Sequence, residues 1–410
     1  MLTVEEAIRM VEQHARPLAP RCVALGEAAE LVLAEDVTST VNSPPYDKSL
    51  MDGYAVVSSD RSQVREVIEE VRAGSVPRRP VTPGTATRLM TGAPLPEGAD
   101  AVVAFEQTEP IDDRTVRFVQ TDPAPGQHVL KMGAALTVGQ RVLEQGTILR
   151  PIEIGILAEI GHIGVQVHPR PRVAVLPTGN ELVAANEAPA AGQIRNSNGP
   201  MLAAAIARAG GTAVELPVAR DEPHELRRLI GAGFEADVLL LCGGVSAGKF
   251  DLVPAALAEL GVEQVFHKVA LRPGKPLWFG VKDFGSHRVL VFGLPGNPVS
   301  SFVCYELFAR PVLAALAGRG FTSAPLIPAR LSHDFHYKGG RASCLPAAIN
   351  WERPGDRPVN RPADTRPAVE ILPWQGSADL VTLARANALV RLGTEPQRLA
   401  AGAVVEAMCL

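Results

Sequence analysis

The chain has 410 residues, of which 46% are hydrophobic and 20% charged, a balance typical of globular proteins. At roughly 150 residues per domain, this length predicts about two to four domains. The 40 Lys+Arg and 44 Asp+Glu give a formal net charge of -4, which argues against an unspecific nucleic-acid-binding surface.

Cysteine usage and the first residues indicate the compartment. The five cysteines are odd in number, far apart and never arranged as CxxC, which disfavours a disulfide framework or a thiolate zinc site. The chain opens with MLTVEE, without a basic segment and an apolar run, and we expect no window to approach the ~20 apolar residues of a membrane helix. We therefore predict a cytoplasmic protein that is not associated with membranes.

Helical and β-rich segments alternate in the first part of the chain. Thr3 and Glu6 form a capping box before apolar residues at helical spacing, so the chain is expected to open with a helix. A second helical stretch is predicted at 25–34, and helical periodicity returns at 151–160. Short Val-rich runs between turn residues predict a β-rich domain over 46–136. This domain would be inserted into an elongated, discontinuous N-terminal domain formed by 1–45 and 137–171.

The segment 172–320 alternates predicted strands and helices. Strands are predicted at 173–176, 212–218, 238–242, 265–271, 276–281 and 289–292, and helices at 198–209, 222–230, 252–260 and onward from Val299. This alternation predicts a doubly wound, mostly parallel sheet covered on both faces. Residues 325–410, with strands predicted at 380–382 and 388–392, are expected to form a compact, barrel-like β-domain. The fold class is therefore multidomain α/β plus β.

Glycine-bearing polar loops follow three of the predicted strands, at 177–181, 243–248 and 293–298. In an open parallel sheet, ligands lie outside the carboxyl ends of the strands, and glycines let backbone N–H groups approach them. The three loops together favour a ligand site, whereas any one alone is equally consistent with an ordinary tight connection. The middle loop matches seven positions of a P-loop, but Phe250 stands where the Mg²⁺-binding hydroxyl belongs, which disfavours nucleotide hydrolysis.

Acidic and basic residues accompany these loops. Glu181, Asp221 and Asp251, with Asp52 in the inserted domain, are candidate oxygen ligands for Mg²⁺, although each alone is also consistent with a solvated surface acid. Arg272 and Lys275 flank a Pro-Gly turn, so their side chains either converge on an oxyanion or protect an exposed strand edge. The histidines show no close metal spacing, and Ser246 has no recognisable catalytic partner.

Several motifs together resemble one family, the molybdopterin molybdotransferases, which comprise the bacterial MoeA proteins and the gephyrin E-domains. The resemblance covers essentially the whole chain. It depends on SLMDGYAV at 49–56, MTGAP at 90–94, PTGNEL at 177–182, GGVS at 243–246, RPGKP at 272–276 and GLPGNPVS at 293–300. The motif at 177–182 is less specific, because MogA-like pterin adenylyltransferases and CinA-type proteins share the fold of that domain.

The resemblance implies the last step of molybdenum cofactor assembly. Adenylylated molybdopterin is hydrolysed in a Mg²⁺-dependent step, and molybdate, the second substrate, is inserted at the dithiolene sulfurs. The resemblance places molybdate near Arg272, Lys275, Ser300, Arg341 and Ser377. It places the pterin and the metal near Thr178, Glu181, Asp221, Gly244, Ser246, Asp251 and Asn297, with Glu181, Asp221 and Asp251 as metal ligands. Asp52 and Thr91 would face this site from the second subunit of a homodimer, and we expect all these segments to meet in a single crevice.

Two positions depart from the family pattern. Arg272 stands where many bacterial members have lysine, which changes a compact ammonium into a planar fork. Ala135 stands where the family has an acid, so we predict weakened metal binding or compensation by an acid such as Glu106. The missing acid is also consistent with a scaffold paralogue without catalysis. A pterin adenylyltransferase is a further alternative, but it needs neither the inserted nor the C-terminal domain. Transient contacts are expected with a molybdopterin adenylyltransferase and with apo molybdoenzymes.

Overall fold

The computed structural model describes residues 1–119, 122–245, 252–351 and 366–410. These residues form two compact units. The first unit comprises Met1–Ala34, Ile148–Arg150 and Gly164–Leu410, and the second comprises Glu35–Thr147 and Pro151–Ile163. The finer division into four domains with the boundaries given above stays a prediction.

The first unit begins with helix α1 (Val4–Glu12), followed by strands β1 (Arg21–Ala24) and β2 (Val32–Leu33). The predicted capping box is confirmed, because the Glu6 N–H donates to Thr3 Oγ1 at 3.1 Å and the Thr3 N–H donates to Glu6 Oε2 at 2.8 Å. The helix predicted at 25–34 is wrong. Only a 3-10 turn, Leu25–Glu27, forms there, because Glu30 adopts a positive φ of 63° and β2 pairs with a distant strand.

The second unit is β-rich, as predicted for the inserted segment. Its elements are β3 (Val37–Thr38), β4 (Lys48–Ser49), β5 (Gly53–Val56), β6 (Val64–Val71), β7 (Thr85–Leu89), β8 (Ala101–Ala104), β9 (Thr108–Asp112), β10 (Thr115–Phe118), β11 (Val129–Leu130), β12 (Arg141–Leu143) and helix α2 (Pro151–Glu159). Six strands form one sheet in the order β8-β5-β7-β6-β10-β9, while β4 pairs with β11 and β3 with β12. Helix α2 confirms the helical periodicity predicted at 151–160.

The chain then returns to the first unit and builds its α/β part. Its elements are β13 (Gly164–His168), β14 (Arg172–Pro177), β15 (Leu182–Val183), β16 (Ile194–Arg195), α3 (Asn198–Arg208), β17 (Thr212–Glu215), α4 (Pro223–Gly233), β18 (Val238–Cys242), α5 (Val253–Glu259), β19 (Glu263–His267), β20 (Leu271–Arg272), β21 (Trp278–Asp283), β22 (Arg288–Leu294), α6 (Pro298–Cys304) and α7 (Arg310–Leu316). Strand β13 pairs with β1 and β2, which joins it to the opening segment.

The central sheet has the order β17-β14-β18-β22-β21-β19. The first four strands are parallel, and β21 and β19 add antiparallel pairs, so the prediction of a mostly parallel sheet is confirmed. One predicted strand at 265–271 is instead two strands, β19 and β20. Lys268, with a positive φ of 76°, separates them, and β20 leaves the sheet to pair elsewhere.

Both faces of this sheet are covered. Along β14, Val173 and Val175 belong to one buried apolar cluster, whereas Ala174 and Leu176 belong to another. Successive side chains of a strand point to opposite faces, so the two clusters lie on the two sides of the sheet. This double burial explains why β18 consists of five buried residues without polar alternation.

A long buried helical stretch follows β22. Helices α6 and α7 are joined by a π-helical segment, Tyr305–Ala309, into one stretch of 19 residues, Pro298–Leu316. Among the residues described, this stretch alone has the length and composition to cross a membrane, which corrects the expectation that no window comes near one. However, 83% of its 18-residue window is buried inside the protein, as is typical of a core helix.

The C-terminal part closes into a barrel. Its elements are β23 (Leu326–Leu331), β24 (Phe335–Tyr337), β25 (Ala342–Asn350), β26 (Ala368–Ile371), α8 (Leu380–Arg385), β27 (Ala388–Leu392), β28 (Gln397–Leu399) and β29 (Val404–Cys409). Strands β25, β26, β23, β29 and β27 pair in that order, and β27 pairs again with β25, so the ring closes and the predicted barrel is confirmed.

The strand predicted at 380–382 is wrong, because α8 forms there. Asp379 caps this helix, since its Oδ1 accepts the Thr382 N–H at 3.0 Å. Strand β20 of the α/β part adds to the barrel sheet beside β25, with Leu271 opposite Ala342 and Arg272 opposite Ser343. The α/β part and the barrel are therefore joined by backbone pairing.

Candidate functional site

The loops that follow β14, β18 and β22 meet in one cavity of about 630 Å³. These three strands are parallel neighbours, so their carboxyl ends reach the same edge of the sheet. Five of the residues predicted for the pterin and the metal line this cavity: Thr178, Glu181, Asp221, Gly244 and Asn297. Ser246 and Asp251 lie outside the described residues.

Glycine is required at the turn after β18. Gly243 and Gly244 have positive φ angles of 105° and 65°, which side chains of L-residues rarely adopt. A Cβ at Gly243 would lie 2.8 Å from the carbonyl oxygen of Thr178. The loop therefore passes close to the end of β14, and its backbone rather than its side chains forms that wall of the cavity.

Two carboxylates line the same cavity. The Glu181 carboxylate lies over Gly179, where an added Cβ would collide with it. Asp221 is half-buried, and its backbone N–H donates to Asn180 Oδ1 at 3.1 Å. In the described part of the chain no three His, Cys, Asp or Glu side chains are grouped to hold a metal ion. Glu181 and Asp221 thus supply oxygen donors of the kind Mg²⁺ prefers, but not a full ligand set by themselves.

Cys242 also lines this cavity, at the end of β18. Complete burial raises the pKa of its thiol to about 12. The thiol is therefore protonated at physiological pH, which makes it a poor nucleophile. The other polar groups that line the cavity include the side chains of Glu181, Arg195 and Asn198.

A second cavity, of about 640 Å³, adjoins the first. It is lined by all five residues predicted for molybdate: Arg272, Lys275, Ser300, Arg341 and Ser377. None of its described lining residues is an aspartate or a glutamate. Three cations and no carboxylate among these described lining residues favour an oxyanion as the ligand. Arg272 and Lys275 line the same cavity, and their convergence on one oxyanion stays a prediction.

Backbone pairing explains how residues distant in sequence reach this cavity. The β20–β25 register sets Arg272 opposite Ser343, two residues after Arg341. The Arg341 guanidinium also donates from Nη1 to the Leu271 carbonyl at 3.3 Å. From the barrel side, the Ser377 carbonyl accepts the Val299 N–H at 3.0 Å, which ties it to the first turn of α6.

The two cavities share a wall formed by Pro276, Pro295, Gly296 and Asn297. The expected single crevice is therefore a pair of adjoining cavities. The first cavity is lined by charges of both signs, Glu181, Asp221 and Arg195, whereas the charged side chains that line the second are all cations, so the second favours an anion. Asn297 contributes to both sides, and its Nδ2 donates to Ser377 Oγ at 2.9 Å.

Sequence reasoning missed several lining residues. Asn198, at the start of α3, is buried in the first cavity and donates from Nδ2 to the Gly296 carbonyl at 2.6 Å. The polar run Asn196-Ser197-Asn198 just before a helix was an available signal for a cavity wall. Trp374 and Gln375 line the second cavity, and they stand at the end of a proline-rich stretch without periodicity, which hid them.

Asp52 and Thr91 lie together in the second unit. Asp52 Oδ1 accepts the backbone N–H of Thr91 at 2.6 Å and its hydroxyl at 2.7 Å. These hydrogen bonds hold the pKa of Asp52 below its usual value. The bond from the Thr91 backbone N–H has the larger effect, and the bond from the Thr91 hydroxyl adds to it. Both residues are exposed, so this unit presents an ionised carboxylate to the solvent at neutral pH.

Thr91→Ala is expected to raise the pKa of Asp52 toward its usual value, because one of the two hydrogen bonds to the carboxylate is lost. Carbon-detected NMR titration of the side-chain carboxyl measures this shift. Thr91→Ser keeps the hydroxyl and should leave the pKa low. Since the folded-state pKa is depressed, the hydrogen bonds stabilise the fold above the unfolded pKa, and this stabilisation is lost as the pH falls through the folded value. An unchanged titration in Thr91→Ala would contradict this reading.

Ala135 is exposed, and its N–H donates to the Ser43 carbonyl at 2.9 Å. Residue 135 therefore supplies no carboxylate at the position where the family pattern has an acid. Glu106 is also exposed and lies in the 3-10 turn Phe105–Gln107, whose first residue donates its N–H to the Asp52 carbonyl at 3.1 Å. Compensation by Glu106 stays a prediction.

Comparison with known proteins covers nearly the whole chain. Residues 2–161 match the family model described as the MoeA N-terminal region (domain I and II), and residues 174–315 match a probable molybdopterin binding domain. A molybdopterin molybdenumtransferase of Staphylococcus aureus is 33% identical over 345 residues, which are 82% of this chain and 80% of the relative. One from Staphylococcus epidermidis is 31% identical over 417 residues, covering 99% and 94%.

Solved structures that share the fold of this chain come from the same group of proteins. A molybdopterin biosynthesis MoeA protein from Pyrococcus superposes with a TM-score of 0.82 at 30% identity, covering 100% of this chain and 99% of the other. A second structure, from Pyrococcus horikoshii, gives a TM-score of 0.77 at 27% identity, with 100% of both chains covered. The protein therefore belongs to the family of the molybdopterin molybdenumtransferases, transferases of molybdopterin biosynthesis.

Proposed function

We propose that this protein is a molybdopterin molybdotransferase that hydrolyses adenylylated molybdopterin in a Mg²⁺-dependent step and inserts molybdate at the dithiolene sulfurs. The observation that carries the proposal is the second cavity, which Arg272, Lys275 and Arg341 line and whose described lining residues include no carboxylate. Three cations around one cavity attract a doubly charged oxyanion. The resemblance and the family membership support molybdate as this anion.

The cationic side chains have distinct tasks in this proposal. Arg272 and Arg341 present planar forks of donors that match pairs of oxyanion oxygens, and Lys275 adds a compact point charge. The hydroxyls of Ser300 and Ser377 complete the set of donors. Because Arg341 is held by the Leu271 carbonyl, its fork is oriented before the ligand enters. This arrangement replaces the hydration shell of the oxyanion with fixed donors.

The first cavity suits the adenylylated end of the pterin. The glycine loop after β18 offers backbone N–H groups to phosphate oxygens, as Gly243 and Gly244 allow close approach. Thr178, Gly244 and Asn297 line this side, and Ser246 is assigned to it from the sequence. The shared wall would let one substrate span both cavities, with its phosphates near the loop and its dithiolene toward the oxyanion.

The metal ligands proposed are Glu181, Asp221 and Asp251, the last from sequence alone. Mg²⁺, when bound, would neutralise the pyrophosphate link and lower the pKa of a coordinated water. Glu181 and Asp221 hold oxygen donors at the edge of the cavity, and the neutral Cys242 thiol beside them does not compete for a hard ion.

We also propose a cytoplasmic homodimer in which Asp52 and Thr91 of one subunit complete the site of the other. Exposed apolar side chains of the second unit support a protein partner: Leu50 and Met51 precede Asp52 in the chain, and Met132 is exposed at 54%. Ile152 of helix α2 is exposed at 75%. This helix carries apolar residues on most of its faces. Exposed apolar groups of this kind mark interaction surfaces. Contacts with a molybdopterin adenylyltransferase and with apo molybdoenzymes would be transient.

The deciding experiment supplies purified protein with adenylylated molybdopterin, molybdate and Mg²⁺. We expect release of AMP and activation of an apo molybdoenzyme, and we expect both to be lost when EDTA removes Mg²⁺. Asp221→Asn should lower the rate of AMP release by at least about tenfold, since it removes one anionic donor. Asp113→Asn, an exposed acid in a turn, is the matched control.

The same assay separates the alternatives. A scaffold paralogue would bind adenylylated molybdopterin without releasing AMP. A pterin adenylyltransferase would instead form adenylylated molybdopterin from ATP and molybdopterin. Arg341 and Ser377, which the barrel contributes to the second cavity, speak against that alternative.

A further inference from the structure

We propose that Asn297 is a positioning residue that directs the hydroxyl proton of Ser377 into the second cavity and thereby selects fully deprotonated oxyanions over protonated ones. The inference rests on the proposed function, because it assigns the second cavity to an oxyanion. It adds a residue and a selectivity that the cations alone do not provide.

Ser377 is held at two points by the residues around the start of α6. Its carbonyl accepts the Val299 N–H at 3.0 Å, and its Oγ accepts a hydrogen bond from Asn297 Nδ2 at 2.9 Å. The loop that carries it is further fixed by Asp379, whose Oδ2 accepts the Gln375 N–H at 3.0 Å. The position of the hydroxyl oxygen is therefore set by backbone and side-chain contacts before any ligand binds.

The hydrogen bond from Asn297 decides what the hydroxyl offers. A serine hydroxyl has one proton to donate, and an amide N–H beside it occupies an acceptor site on the oxygen. The proton must then point away from Asn297. The charged side chains around it, Arg272, Lys275 and Arg341, carry donors only, so none of them accepts this proton. The proton therefore stays available to an oxyanion oxygen that enters the cavity.

A cavity whose side chains are set as donors distinguishes oxyanions by protonation. Molybdate carries no proton at neutral pH, so each of its oxygens accepts hydrogen bonds. Inorganic phosphate carries at least one proton near neutral pH, and that O–H needs an acceptor. Asn297 occupies one acceptor site of the Ser377 oxygen and keeps its proton available for donation, so the phosphate proton finds one acceptor site fewer, and a donor left without a partner on binding is costly.

The test uses the full-length protein and calorimetric titration with molybdate and with inorganic phosphate at pH 7. For Asn297→Ala we expect molybdate affinity to fall by roughly 3- to 10-fold while phosphate affinity falls less, because the freed hydroxyl can turn and accept. Ser377→Ala should weaken molybdate binding by about tenfold. Asn297→Ala in the Ser377→Ala background should cause no further loss, since Asn297 acts through that hydroxyl.

Asn297→Asp provides a second, nearly isosteric variant. Its carboxylate accepts the Ser377 proton, so the selectivity for molybdate over phosphate should fall further than in Asn297→Ala even as both affinities decrease. Equal losses for the two anions, or additive losses in the double variant, would overturn the inference. The proposed function would stand if Lys275→Ala still lowered molybdate affinity by roughly 10- to 100-fold. Absence of molybdate binding by the wild-type protein would overturn both.

Discussion

Lys275→Ala is expected to lower the affinity for molybdate by roughly 10- to 100-fold, because a charge-assisted hydrogen bond to an anion contributes about 1.5–3 kcal/mol. Lys275 is exposed at the cavity mouth, so its removal should leave the free energy of unfolding nearly unchanged. Calorimetric titration measures the affinity, and urea unfolding checks the stability. Lys282→Ala, which removes the same charge from β21 outside both cavities, is the control.

Comparison with the control variant distinguishes a specific oxyanion site from an effect of overall charge. Equal losses in Lys275→Ala and Lys282→Ala would mean that only the overall charge matters, which contradicts a specific oxyanion site.

Lys275→Ala also tests the homodimer. If the site is composite, Asp52→Ala should also lose activity. At subsaturating molybdate, mixing the two variants should restore activity in the fraction of dimers that holds one intact composite site, whereas each variant alone stays nearly inactive.

Gly243→Ala is expected to lower the free energy of unfolding by about 2 kcal/mol or more, since the left-handed conformation alone costs a residue with a Cβ roughly 1–2 kcal/mol. The steric conflict adds to this cost, because the Cβ would lie 2.8 Å from the Thr178 carbonyl, which is backbone and cannot rotate away. Any folded variant should bind adenylylated molybdopterin more weakly, as the loop must move into or away from the first cavity. Urea unfolding and pterin fluorescence measure the two effects.

Gly231→Ala is the matched control for this change. Gly231 lies within α4, and a Cβ there would meet no heavy atom within 4 Å. Alanine favours a helix over glycine by about 1 kcal/mol, so this variant should be as stable as the wild type or more stable. A destabilisation of similar size in both variants would show that glycine loss in general, not the geometry of the loop, is responsible.

Local patterns predicted the central sheet well. Strand β18 has the bounds 238–242 that its apolar run indicated, because a strand buried on both faces needs uninterrupted apolar residues. The helix predicted at 25–34 and the strand predicted at 380–382 failed for different reasons. In the first segment, pairing of β2 with the distant strand β13 overrides helical spacing. In the second, the Asp379 cap favours a helix over the β propensity of Val381 and Thr382.

The cavities depended on contacts that no local pattern carries. The glycine loops could be assigned to one sheet edge, since parallel neighbours share an orientation. The meeting of Arg272 with Arg341 depends instead on pairing between β20 and β25, about 70 residues apart in the chain. Nothing near Lys268 in the sequence indicates that the strand breaks there and changes sheets. Only the resemblance to a family connected these positions.

Strand β20 of the α/β part pairs with β25 in the barrel sheet, and this pairing limits where the chain could be divided during evolution. A gene fragment ending near residue 320 would retain the glycine loops, Glu181 and Asp221, but its β20 would lack the β25 neighbour that orients Arg272. Ala378 and Leu380 also line the first cavity, so such a fragment would lose part of that wall, and it would lose Arg341 and Ser377 from the second cavity altogether. Each cavity is therefore complete only where the α/β part and the barrel remain joined, although the glycine loops and both carboxylates would be inherited with the α/β part alone.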